Sequence, residues 1–230
     1  MRLIALALFT LALAACASDY PDDRFVALVR VMRPSVVLLT MHVPPEKKKD
    51  RYDDAYGTGL VIASGSWGSD ILTVAHVVDG AWDLHATIGN RNKFPAHVIA
   101  VNNDTDVALV RTPRANLPAV HLGSVTNLRD QVGRDVGLLG YPIPDEFEDE
   151  QLGLATSLNT GRLSSIRNDA IEVTLPIVPG ESGGPIFLID TGQIIGLADS
   201  RFDDERSIGF AVPLGDVLHF LHKIDRAHGF

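Results

Sequence analysis

Three features of the 230-residue sequence predict an all-β protein, a sandwich or barrel with a short helix near each end. Short β-branched and apolar runs recur along its length, and Gly, Pro, Asn or Asp separate most of them. Helical periodicity is confined to one stretch at either end. No linker of any length interrupts residues 35–230, which leaves one structural unit with room for two β halves sharing a core. A hydrophobic content of 46% is ample to build that core.

The elements follow in order. Phe25, Leu28, Val29 and Met32 fall at helical spacing, with Asp22 and Asp23 near the start and Pro34 at the end, so a short amphipathic helix is expected there. Residues 35–43 are β-branched and apolar and predict a strand, and the charged segment 46–56 predicts a loop. Strands are expected over 57–63 and 71–75, joined by a hairpin through the Gly/Ser cluster 64–69. Further strands are expected at 84–88, 97–101, 107–111, 135–139, 156–163, 170–175, 186–189, 193–197 and 208–212. Leu214, Val217, Leu218, Leu221 and Ile224 then recur at helical spacing and predict a terminal helix.

Charge and termini narrow the function. A formal net charge of −9 disfavours nucleic acid as a partner, because phosphates would repel it. The run Lys47-Lys48-Lys49 is largely offset by Glu46, Asp50, Asp53 and Asp54 and reads as a solvated loop. One cysteine permits no internal disulfide. Met1-Arg2 followed by the apolar run 3–15 has the form of an export signal, too short to span a bilayer comfortably. It ends in Leu13-Ala14-Ala15-Cys16, which resembles the lipobox of bacterial lipoproteins. That resemblance implies cleavage before Cys16, lipidation of its thiol, and residues 16–23 as a tether. An ordinary signal peptide cut nearby is the alternative. Ala17, where an aspartate would favour inner-membrane retention, implies an outer-membrane anchor facing the periplasm.

The chemistry centres on Pro179-Gly180-Glu181-Ser182-Gly183-Gly184-Pro185. Closely spaced glycines bounded by prolines suit a tight loop that presents a hydroxyl and several backbone N–H groups to one point, as a serine nucleophile requires. A serine needs a base, and His76 is the histidine delivered by an apolar run, Ile71-Leu72-Thr73-Val74-Ala75. The base needs a carboxylate, and Asp106 enters the apolar run Val107-Ala108-Leu109-Val110. Asp104 is the local competitor, two residues further from that run.

These three segments, in the order His, Asp, Ser, resemble the signatures of trypsin-like serine proteases. The finer resemblance is to the bacterial HtrA/Deg branch. It is carried by Gly57-Thr58-Gly59, Gly140-Tyr141-Pro142, Gly161-Arg162-Leu163-Ser164, Ile195-Gly196 and Ile208-Gly209-Phe210-Ala211-Val212-Pro213. The resemblance implies two six-stranded antiparallel β-barrels with the site between them. It implies His76 as base, Asp106 as its orienting acid, Ser182 as nucleophile, and the N–H groups of Gly180 and Ser182 as an oxyanion hole. Leu197, Ala198, Asp199 and Ser200 would bind the substrate backbone and, with residues 175–178, wall its pocket. Protein or peptide substrates are implied, and no cofactor or metal.

Departures from the family pattern carry expectations too. Glu181 stands where the branch usually has asparagine or aspartate, which leaves open an unproductive resting loop. Asp199 stands where relatives tend to carry a small polar residue near the triad acid, unless the register slips by one and Ser200 takes that place. No peptide-binding PDZ module is expected after the terminal helix. The acidic stretch 145–150 is expected as a loop near the active-site rim.

Other readings are weaker. Gly180-Glu181-Ser182-Gly183-Gly184 also fits a nucleophile elbow, but that fold needs a helix after the serine, and Pro185 with its apolar run predicts a strand. His219, His222 and His228 form a conceivable metal set, more simply read as solvent-facing. The rival function is a non-catalytic binding or chaperone module on the same fold.

Overall fold

The computed structural model describes residues 21–43, 54–89, 92–124, 127–199 and 208–228. Cys16, Ser200 and the lysine run therefore lie outside the described residues. Helix α1 (Pro21–Met32) starts on a proline, whose fixed φ suits the first helical turn. Its start lies inside the segment read as a tether. Val29 and Met32 are buried, and Phe25 and Leu28 pack beside them, so the predicted apolar face is the one that meets the core.

A single 3-10 turn (Arg33–Ser35) leads into β1 (Val36–His42), in which Val36 to Leu39 are all buried. A continuously apolar strand of this kind needs cover on both faces. It lies in the interior of a seven-stranded sheet with β2 (Asp54–Gly65), β3 (Gly68–Thr73), β4 (Trp82–Ile88), β5 (Asn92–Pro95), β6 (His97–Asn102) and β7 (Val107–Thr112). The strand order is β5-β4-β1-β2-β3-β7-β6, and every neighbouring pair is antiparallel. The first half is thus barrel-like but open, with seven strands where six were expected. The unexpected strand is β5. Its polar residues show no β pattern, and it forms by extending the edge of β4, where its proline is tolerated.

The second half closes. Strands β8 (Asp135–Gly140), β9 (Ser157–Ile166), β10 (Ile171–Val173), β11 (Pro185–Leu188), β12 (Ile194–Asp199) and β13 (Gly209–Pro213) form a six-stranded barrel in the order β10-β13-β12-β11-β8-β9. Val136, Leu138, Leu163, Ile171, Val173, Leu175, Ile186, Leu188, Ile195, Ala198 and Ala211 form one buried cluster in this half. A second cluster joins the first sheet to Leu139, Tyr141, Phe187 and Leu197 of the barrel half. The two halves therefore share packed apolar surface, each fully buried large side chain stabilising the fold by about 1.5–3 kcal/mol. Helix α4 (Leu214–His228) closes the molecule with Val217, Phe220 and Ile224 buried at helical spacing. The acidic stretch is not a loop but helix α3 (Pro144–Asp149), with proline at its first turn and Asp145 and Glu146 where the helix dipole favours negative charge.

Candidate active site

Strand register brings the first two candidate residues together. Antiparallel pairing sets Thr73 of β3 opposite Ala108 of β7, so the end of one strand lies beside the start of the other. A cross-strand pair reinforces this register. Arg111 Nε and Nη2 donate to the two carboxylate oxygens of Asp70 at 2.6 and 2.9 Å, and that carboxylate holds the guanidinium pKa up. Beyond Thr73 the chain does not continue as strand, contrary to expectation. Val74 is extended, and residues 75–78 form a single helical turn, α2 (Ala75–Val78), that carries His76. An apolar run does not distinguish a strand from a buried turn, and β3 ends where β7 begins beside it.

Asp106 immediately precedes β7 with φ of +54°, a left-handed conformation that aspartate tolerates better than most residues. The Asn102 side chain shapes the approach by accepting from the N–H groups of Asp104 and Thr105. Asp104, the local competitor, is exposed. Asp106 is 4% exposed, and its two oxygens accept from the same residue: Oδ1 from the His76 backbone N–H at 2.9 Å, and Oδ2 from His76 Nδ1 at 2.9 Å. A carboxylate only accepts, so the proton lies on Nδ1 and Nε2 is left as an acceptor. Nε2 lies 3.2 Å from Ser182 Oγ, on the other half of the molecule.

The serine loop runs between β10 and β11. Gly180 has φ of +91°, and a Cβ there would fall 2.3 Å from the Tyr141 carbonyl oxygen. Gly183 has φ of +88°, and its Cβ would fall 2.1 Å from the Thr58 carbonyl oxygen. Only glycine fits either place. Every carbonyl from Pro179 to Ser182 accepts a hydrogen bond. Pro179 accepts from the Ile143 N–H at 2.8 Å, Glu181 from the Gly184 N–H at 2.9 Å, and Ser182 from the Thr58 N–H at 2.8 Å. Gly180 accepts from the Thr58 hydroxyl at 2.7 Å. In a trans peptide the N–H points opposite to the carbonyl of the preceding residue, so the bonds to Pro179 and Glu181 fix the directions of the Gly180 and Ser182 N–H groups. Ile143 holds its anchor from a left-handed backbone (φ +35°), costly for a β-branched residue and imposed by its surroundings.

Glu181 turns inward. It is 2% exposed, its N–H donates to the Val178 carbonyl at 3.0 Å, and its carboxyl accepts from the Val178 N–H at 3.0 Å. Burial pushes its pKa up to about 7, against the opposing pull of that N–H. The side chain lies over Gly140, where a Cβ would meet it at 3.2 Å. Asp199 is 4% exposed and joins His76 and Asp106 in a group whose potential ligand atoms all lie within 4.8 Å of one another. The unslipped register therefore puts the second carboxylate beside the first.

Leu197, Ala198 and Asp199 lie on β12 between β11 and β13. The Ala198 N–H donates to the Gly184 carbonyl at 2.8 Å, and its carbonyl accepts from the Gly183 N–H at 2.8 Å. Ala198 thus faces the glycine-rich loop through its backbone. His219 and His222 are exposed on α4. Sequence reasoning missed the role of Thr58, which meets the serine loop at two points. The available signal was a polar side chain between two glycines in a strand. Both glycines are sterically required, since a Cβ at Gly57 would fall 2.4 Å from Val77 and one at Gly59 2.5 Å from Ile71.

Two barrel-like β sheets, one giving a histidine–aspartate pair and the other a glycine-bound serine, make this a trypsin-like fold. The chain belongs to the family described as trypsin-like peptidase domain, whose profile matches residues 57–197. It is 30% identical over 184 residues to the putative serine protease HhoB of Synechocystis sp., covering 75% of this chain and 40% of that protein. It is 30% identical over 169 residues to a probable periplasmic serine endoprotease DegP-like of Halomonas elongata, covering 69% of this chain and 32% of that protein. The chain thus spans less than half the length of these curated relatives. The serine endoprotease structure from Yersinia pestis superposes with a TM-score of 0.69 at 23% identity, covering 88% of this chain and 66% of that one, a likeness of fold.

Proposed function

We propose that this protein is an HtrA-type serine endopeptidase of the bacterial envelope, with His76, Asp106 and Ser182 as its catalytic triad. The observation that supports it most is the unbroken hydrogen-bond chain from Asp106 through His76 to Ser182 Oγ. In this reading Ser182 Oγ attacks the peptide carbonyl carbon while His76 Nε2 takes its proton. Asp106 keeps Nδ1 protonated and stabilises the imidazolium that forms. The N–H groups of Gly180 and Ser182 receive the oxyanion. His76 then gives the proton to the leaving amine, an ester to Ser182 remains, and water activated by the same histidine releases the acid. Leu197, Ala198, Asp199 and Ser200 would bind the substrate, with small or aliphatic residues preferred on the acyl side of the cleaved bond. Misfolded or specific envelope proteins are the substrate class.

The anchor is part of the same reading. Cleavage before Cys16 and lipidation of its thiol would hold the enzyme to the outer membrane, facing the periplasm. Purified protein should hydrolyse an unfolded protein substrate, and both His76→Ala and Ser182→Ala should abolish this. Retained turnover in either would overturn the triad. Metabolic labelling with a fatty-acid analogue should tag the protein and fail with Cys16→Ser; equal labelling of both would remove the anchor.

A further inference from the structure

Four carbonyls, Pro179 to Ser182, orient the serine loop, and three of their partners are backbone N–H groups that no substitution short of proline removes. The fourth is a side chain. Thr58 Oγ1 donates to the Gly180 carbonyl at 2.7 Å and accepts from the Tyr141 N–H at 3.0 Å. A hydroxyl has one proton, so acceptance from Tyr141 leaves that proton to Gly180. Thr58 is fully buried, and its own backbone is pinned at both ends: its N–H by the Ser182 carbonyl at 2.8 Å, and its carbonyl by the Thr73 hydroxyl at 2.8 Å. It stands in the first sheet and reaches the two residues of the other half whose N–H groups face an oxyanion. We infer that Thr58 is a positioning residue for the oxyanion loop, a latch across the two halves. This rests on the triad reading proposed above.

The latch makes a specific demand. With the hydroxyl gone, the Gly180 carbonyl loses its donor, and the 180–181 peptide keeps only the bond at its other edge, where the Glu181 N–H donates to the Val178 carbonyl at 3.0 Å. A peptide tethered at one edge in place of two tilts at the Gly180 Cα and shifts the adjoining Gly180 N–H, while His76, Asp106 and Ser182 Oγ stay in place. The transition state should suffer and ground-state substrate binding should not. Thr58→Val removes the hydroxyl at nearly constant volume, and Thr58→Ser keeps it.

The experiment compares wild type, Thr58→Val and Thr58→Ser in steady-state peptide hydrolysis and in affinity for a peptide boronic acid, which mimics the tetrahedral intermediate. Thr58→Val should lower kcat and boronate affinity on the order of 10- to 100-fold with KM little changed. Thr58→Ser should restore both. A fall shared equally by the two variants, a rise in KM alone, or full activity in Thr58→Val would overturn the inference. If Thr58→Val does not fold, the serine variant decides through its boronate affinity, which must match wild type. Inactive wild-type protein would instead sink the triad reading itself.

Discussion

The two halves of the site are held by different means. The histidine–aspartate pair is a product of one sheet: β3 and β7 are neighbours, their register is set by Ile71, Leu72 and the Asp70–Arg111 pair, and the contact follows from where the strands end. The serine loop is a product of the whole molecule. Its carbonyls are gripped by β2, by the segment before α3 and by its own following turn, and its glycines are pressed against backbone from elsewhere. One side is rigid because its sheet is regular. The other is rigid only while the halves stay docked, so damage to docking should reach the loop before it reaches the pair.

Changes at the reacting atoms should have the largest effect. Ser182→Ala and His76→Ala should each lower kcat by a factor on the order of 10³ or more while Tm moves by only a few degrees, measured by peptide turnover and calorimetry. Next is Gly183→Ala, which forces a Cβ against the Thr58 carbonyl at positive φ. It should cost about 3 kcal/mol or more in denaturant unfolding and remove activity with it. Wild-type stability in this variant would mean that the loop is not pressed on β2 as described.

Glu181 offers a test by pH. Its folded-state pKa, about 7, lies above the ordinary 4.5, so the folded protein binds the proton more tightly than the unfolded chain. The stability this gives is fully present below pH 4.5 and is lost as pH rises through 7. Relative to Glu181→Gln, wild type should therefore lose stability across that window, on the order of 3 kcal/mol in all, and run parallel above it. Parallel curves throughout would show that the carboxyl is not buried in the folded loop. The smallest effect belongs to the sheet side: Arg111→Ala should cost about 1 kcal/mol and change kcat little, since β3 and β7 keep four other paired positions.

How far the sequence could be read follows the same division. His76, Asp106 and Ser182 were legible because each sits beside its own local cue, an apolar run ending, an acid opening a strand, glycines around a serine. Most strands were legible for the same reason, because Val, Ile and Leu runs bounded by turn residues need no distant partner to declare themselves. Strand β5 was not, because Asn92 to Pro95 are extended only by pairing with β4. Helix α3 was hidden by its acidity, which reads as solvation until Pro144 is seen to start a turn. The turn that carries His76 looked like more strand because Val74 and Ala75 are apolar in either state. Thr58 and the Ala198 backbone were out of reach altogether, since their roles exist only when residues more than a hundred positions apart, or on opposite sides of a loop, have met.

The central claim is that the hydroxyl of Ser182, its base and its oxyanion donors are assembled at rest. Intact-mass analysis of the purified protein incubated with a fluorophosphonate tests it most directly, with Ser182→Ala as the control. The account predicts one adduct per chain, absent from the variant. An unmodified wild type, or an adduct that persists in Ser182→Ala, would contradict it.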